Sequence, residues 1–219
     1  MSITSDPLKL YSDHNRSYIR FIKFVRYRHG LCAFFRQSDL LQAGKRVLDA
    51  GCGSGVVTLG LREALIQRGL TPGPLHAFDL TGAMLDAFRR SLHAQSITGV
   101  ELAQCDVLQL HNLPKSWKNF DLLVSASMLE YVPRERLSES MSGLRSLLAP
   151  TGRFVLFMTR RNLLTRPLIG SWWESNFYNA LELRNAFESS GFTDVVFHRF
   201  PGLYGYLNLW GYIVTARRS

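Results

Sequence analysis

The 219-residue sequence has no apolar run approaching the ~20 residues needed to cross a bilayer, and Met1 to Leu10 lacks the apolar core of a signal peptide. A cytoplasmic location is the expectation that follows. Cysteine is scarce. Cys32, Cys52 and Cys105 form no CxxC pair, and their odd number speaks against a disulfide framework and against a zinc site. There is also no internal repeat, no low-complexity tract and no cluster of metal-ligating residues. Apolar residues make up 46% of a chain short enough for one core to serve it, so a single domain spanning 1–219 is expected.

What is present is concentrated first in Val47-Leu48-Asp49-Ala50-Gly51-Cys52-Gly53-Ser54-Gly55, an apolar strand signal running into an acid and three alternating glycines. Glycines at such a turn let the backbone approach a ligand without Cβ clashes, and the helix expected over Val56 to Arg68 begins immediately after. The spacing is G-x-G-x-G. A dinucleotide fingerprint wants G-x-G-x-x-G, and its third glycine would fall where Val56 stands, so NAD is disfavoured. Asp49 at the strand end suits a ligand with a cationic group. Cys52 reads as a small residue lining that ligand rather than as a nucleophile.

Two further strand signals end in acids at the same βα spacing. Leu75 to Leu80 carries Asp79, with a helix expected over Gly82 to Gln95. Val100 to Val107 carries Asp106. A carboxylate at the second strand tip can accept both hydroxyls of a ribose, although Asp79 can equally be read as the cap of the following helix, a place Thr81 could fill. Asp106 has an alternative reading as an ordinary turn aspartate. A fourth strand signal, Phe120 to Ser125, leads into Ala126-Ser127-Met128-Leu129-Glu130-Tyr131-Val132, and Leu144 to Phe157 reads as helix, turn and fifth strand.

This ordered series resembles the class I S-adenosylmethionine-dependent methyltransferases over roughly residues 40 to 160. The resemblance implies an α/β, doubly wound, Rossmann-like sheet of seven strands, mostly parallel with an antiparallel last strand, plus an N-terminal helix. It divides the domain into a helical cap at 1–40, a cofactor-binding core at 41–160, and an acceptor-side segment with closing strands at 161–219. It implies S-adenosyl-L-methionine as cofactor, held by Asp49, Gly51, Cys52, Gly53, Gly55, Asp79, Leu80, Met84, Asp106, Val107 and Ser125. Asp106 takes the place that usually contacts the adenine amino group. His14, Glu130, Tyr131 and His198 are candidates for proton removal or acceptor positioning.

Absences narrow the acceptor. The loop after the fourth strand lacks the Asn/Asp-Pro-Pro-aromatic motif of the exocyclic-amine and glutamine-amide enzymes of this fold. No Pro-Cys dipeptide offers a cytosine C5 nucleophile. Leu129-Glu130-Tyr131-Val132 most resembles the branch acting on quinones, tetrapyrroles, lipids and secondary metabolites. The net charge of +9 is unevenly placed: residues 1–46 carry +6, 47–150 carry −1, and 151–219 carry +4. The surplus lies outside the cofactor half, which favours an anionic acceptor, a phosphate-bearing partner or an acidic membrane surface.

Tyr18 to Val25 reads as a basic amphipathic helix with Arg16, Arg20, Lys23 and Tyr27 near one face; it either packs over the domain or meets a membrane surface. Nucleic acid is the weaker reading, because basic side chains alone give no base readout. Trp172-Trp173, after Arg160-Arg161, could line an apolar pocket or anchor a loop. Val195 to Phe200 and Leu207 to Thr215 are expected as closing strands around Pro201, Gly202 and Gly205. The functions consistent with all this are a methyltransferase for a small apolar or anionic molecule, an RNA or protein methyltransferase, and a noncatalytic S-adenosylmethionine-binding partner subunit.

Overall fold

The structure is a computed structural model that describes residues 25–160, 176 and 178–218. Helix α1 (Tyr27–Gln37) leads to strand β1 (Val47–Ala50), and α2 (Val56–Gln67), β2 (Leu75–Asp79), α3 (Gly82–Ala94) and β3 (Val100–Gln104) follow. Then come β4 (Phe120–Ala126), α4 (Leu137–Leu147), β5 (Leu148–Thr159), α5 (Ala180–Ser189), β6 (Phe192–His198) and β7 (Gly211–Arg218). Seven strands form one sheet in the order β3-β2-β1-β4-β5-β7-β6. Neighbours from β3 through β5 pair in parallel, while β7 runs antiparallel to both β5 and β6. The expected architecture, including the reversed last strand, is the observed one.

Strand alternation sorts the core into layers. Leu48, Phe78, Phe120, Leu123 and Phe154 face one side, where Met141 and Leu144 of α4 and Leu183 and Phe187 of α5 cover them. Val47, Val124, Val155 and Phe157 face the other, under Leu31, Phe34 and Phe35 of α1 and Leu61 and Leu65 of α2. Leu85, Phe88 and Leu92 of α3 close a smaller cluster with Cys52 and Leu59. α5 begins with a capping box: the Asn179 side chain accepts from Glu182 N at 2.9 Å, and Glu182 Oε2 accepts from Asn179 N at 2.7 Å.

One local expectation differs from what is observed. The strand expected from Leu207 starts only at Gly211, because Gly202–Leu209 winds as a 3₁₀ helix. Pro201 and Gly202, the latter at φ 52°, start that turn, and Leu207 drops onto the small surface that Gly30 of α1 leaves open. The basic helix expected over Tyr18 to Val25 falls on residues outside the described ones, except for Val25. His14, Arg161 and Trp172-Trp173 also lie outside them.

Candidate functional site

The ends of β1, β2, β3 and β4 open onto one cavity at the carboxyl edge of the sheet. β1 is flanked by β2 on one side and β4 on the other, so the chain reverses its winding direction here, which is where doubly wound sheets bind ligands.

The glycine loop forms one wall. Gly51 N and Cys52 N both donate to Phe78 O at 2.9 Å, pinning the loop across the tip of β2. Gly51, Gly53 and Gly55 all have positive φ, and the crowding around them differs. A side chain at Gly51 would overlap Met128, and one at Gly55 would overlap the Phe88 ring, whereas a Cβ at Gly53 would meet nothing within 4 Å. Two of the glycines therefore permit packing. Gly53 leaves bare backbone facing the cavity.

Asp79 stands at the centre of this wall. Its Oδ2 accepts from Gly53 N at 2.8 Å and its Oδ1 from Thr81 N at 2.9 Å, so the carboxylate joins the first loop to the second. Burial raises its pKa above the ordinary carboxylate range, against the pull of those donors. A carboxylate has about four lone-pair sites, so capacity for a ligand remains. Asp106 also lines the cavity while its Oδ1 accepts from Leu108 N at 2.8 Å, capping the 3₁₀ turn Val107–Asn112. The turn aspartate and the cavity aspartate are thus one side chain. Leu80, Met84 and Val107 supply apolar surface between the two acids.

Asp49 is placed differently. Leu48 and Ala50 face the α4 layer, so alternation turns Asp49 towards α2, and it does not line the cavity. Its Oδ2 accepts from Thr58 N at 3.1 Å and from Thr58 Oγ1 at 2.6 Å, within the first turn of α2. Burial pushes its carboxyl up to about 7. Gly55 and Ser125 also lie behind the lining. Ser125 Oγ donates to Ala50 O at 2.9 Å, tying β4 to β1. Cys52 lines the cavity, but burial first, then Asp49 and Asp79, raise its thiol pKa and keep it protonated.

The opposite wall is the connection after β4. Ala126, Ser127, Met128, Tyr131, Val132 and Pro133 line it, Ser127 with φ 54° and its N–H bound to Phe157 O at 2.9 Å. Tyr27 at the start of α1 reaches the same cavity. Of the candidates for proton transfer, Tyr131 lines the cavity and Glu130 does not. Glu130 Oε2 accepts from Thr159 N at 3.0 Å and Oε1 from Thr159 Oγ1 at 3.2 Å; its backbone oxygen accepts from Asn176 N at 2.7 Å. Burial pushes the Glu130 carboxyl up to about 7, despite the Thr159 bonds. His198 lies on another part of the sheet, its Nε2 2.8 Å from Thr215 Oγ1 and its ring edge-on to Phe34.

Tyr27, Ser127 and Met128 were not among the residues marked from the sequence as cofactor ligands. Ser127 and Met128 could have been found by position alone, since they directly follow β4 as Gly51 follows β1. Tyr27 comes from a segment with no motif of its own.

Comparison with known proteins places this geometry. Residues 47–152 match the family model described as a methyltransferase domain. The ubiquinone biosynthesis O-methyltransferase of Psychrobacter arcticus is 32% identical over 133 residues, 58% of this chain and 46% of that protein. Its counterpart from Haemophilus ducreyi is 33% identical over 121 residues, 54% of this chain and 46% of that protein. The chain spans about half the length of the curated relatives it matches. Among solved structures, the magnesium protoporphyrin IX methyltransferase of Synechocystis PCC 6803 with bound SAH is similar with a TM-score of 0.70 at 19% identity, covering 97% of this chain and 98% of that one. The match to the family model covers just under half of the chain and contains the glycine loop, Asp79 and Asp106, so over those residues the chain is similar to a methyltransferase domain.

Proposed function

We propose that this protein transfers a methyl group from S-adenosylmethionine to an O, N or C atom of a small apolar or anionic molecule. The observation that carries the reading is the single cavity in which Asp79, Asp106 and the bare backbone at Gly53 face the loop of residues 126–133. Those residues fit the cofactor. Two carboxylates and an uncrowded glycine suit a cationic ligand that bears a ribose, and the apolar strip of Leu80, Met84 and Val107 suits a flat base between them. Asp79 would hold the ribose hydroxyls, Asp106 the base edge, and Gly51 to Gly53 the aminoacyl end.

When bound, the cofactor supplies an electrophilic methyl on a sulfonium that is already a good leaving group. The protein's own part is alignment, which can lower a barrier by ~7–11 kcal/mol. Met128 and Val132 present apolar surface opposite the glycine loop, and Tyr131 is the candidate group positioned to orient an acceptor hydroxyl or amine. The charge surplus at both ends of the chain favours an anionic acceptor, and the relatives' names agree with a small molecule.

The test is incubation with methyl-labelled S-adenosylmethionine and cell extract separated into lipid, small-molecule, RNA and protein fractions. Label in the organic-soluble or small-molecule fraction is expected. Label in RNA or protein would transfer the acceptor to a polymer. Cofactor binding with no label in any fraction would leave a noncatalytic partner subunit.

A further inference from the structure

Seven large apolar side chains stand exposed among the described residues, and three of them, Leu203, Tyr206 and Leu209, fall in the eight-residue 3₁₀ helix between β6 and β7. Leu203 is 91% exposed and Leu209 55%. Single exposed apolar residues need no explanation, but a cluster on one short turn does. From Pro201 to Ala216 the chain carries no charge of either sign, and from Val195 to Ser219 it carries no acid.

The surroundings share this bias. Tyr206 Oη donates to Val25 O at 2.6 Å, joining the turn to the middle of an acid-free run, residues 14–38, that contains six Lys and Arg. Arg160 N donates to Trp210 O at 2.8 Å, joining it to a second acid-free run, residues 159–173, that contains Arg160, Arg161 and Arg166. Arg26, Arg160 and Arg199 are all exposed beside these junctions. Val25 and Arg160 thus tie the turn region to two segments distant in sequence, and none of the described residues 25–38, 159–160 and 195–218 is an acid.

We infer that the Gly202–Leu209 turn is a membrane-docking surface, fitted to a bilayer that contains anionic lipid. Leu203 and Leu209 enter the acyl boundary, Tyr206 and Trp210 lie at headgroup depth, and Arg26, Arg160 and Arg199 meet lipid phosphates. The location has a consequence for the reaction. Tyr27 lines the cavity, packs 6.1 Å from the Phe200 ring and follows the Val25 that Tyr206 holds, so the docked face adjoins the cavity mouth. Resting on the reading of an apolar acceptor, this placement lets the acceptor enter from lipid without crossing water.

The experiment is co-sedimentation of the full chain with vesicles of phosphatidylcholine alone and of phosphatidylcholine mixed with phosphatidylglycerol. Cofactor calorimetry and light scattering are run on the same preparations. Binding to the mixed vesicles, weakened by salt and about tenfold or more by the Leu203→Ser/Leu209→Ser double variant, is expected, with cofactor affinity unchanged. No binding of the unsubstituted chain to anionic vesicles overturns the inference, and so does binding that the double variant leaves intact. A dimer that the double variant dissociates would assign the face to a second copy of the chain and overturn it as well. Loss of cofactor binding in the unsubstituted chain would strike the methyltransferase reading instead and leave the vesicle result standing.

Discussion

The two walls of the cavity are built on different principles. On the β1–β3 side, each strand end contributes an acid or a glycine directly to the turn that follows it, and the bonds are short-range or cross one neighbouring strand: Asp79 to Thr81 and to Gly53, Asp106 to Leu108. On the β4 side the lining connection is held by distant residues: Ser127 by Phe157, Glu130 by Thr159, and Val132 by the Asn176 side chain at 2.8 Å. The first wall is a repeated local device. The second depends on the rest of the domain being folded around it, so its shape can change with the segments that brace it while the cofactor wall stays the same.

The comparison is broken most forcefully at the glycines. Gly55→Ala combines a left-handed φ of 87° with overlap on Phe88, and it should cost about 3 kcal/mol or more in a denaturation experiment. Gly53→Ala meets no neighbour and should cost only about 1–2 kcal/mol in stability, while weakening the cofactor by narrowing the cavity. Equal stability losses in the two variants would contradict the division into a packing glycine and a cavity glycine.

Asp79→Ala is the next largest, and it acts on binding. Removing the carboxylate deletes the ribose acceptors and leaves the Gly53 and Thr81 N–H groups without their partner. Calorimetric titration with S-adenosylmethionine should show affinity falling about 100-fold, roughly 2.7 kcal/mol. An unchanged dissociation constant would refute the ribose assignment. Asp49→Asn, whose side chain faces Thr58 and not the cavity, should change stability more than affinity, and the opposite order would show that Asp49 reaches the ligand after all.

These differences also govern what could be read in the sequence. The sheet and its cofactor wall were legible because strand, acid and glycine are consecutive in the chain and repeat at one spacing. The facing of Asp49 was legible in principle too, since Leu48 and Ala50 alternate with it and belong to the opposite layer. Glu130 illustrates what was not. Its chemistry suggests a proton acceptor, but the direction of its side chain is set by Thr159, 29 positions further on, and no local pattern records that. The strand expected over Leu207 to Thr215 lost its start, Leu207 to Trp210, for the same kind of reason, because Gly30, far upstream, provides the seat into which Leu207 folds.

Glu130 sharpens the comparison through pH, with the smallest expected effect. Its carboxyl titrates near 7 when folded, because burial disfavours the charge, and near the ordinary 4.5 when unfolded. Between those values the folded chain keeps a proton that the unfolded chain has released, so stability falls as pH rises from about 4.5 to 7 and levels off above. The loss is on the order of 1–3 kcal/mol, and Asp49, also near 7, adds a loss of the same sign. Glu130→Gln keeps an oxygen for Thr159 N and has no proton to lose, so its melting temperature should fall less between pH 5 and 7 than that of the unsubstituted chain, on the order of 1–2 kcal/mol less when expressed as stability. Cofactor affinity should be nearly unchanged, because the side chain braces the acceptor wall from behind. A Glu130→Gln profile with the same slope as the unsubstituted chain would mean that the carboxyl is solvated and that the β4 wall is held by the Ser127–Phe157 and Asn176 contacts without it.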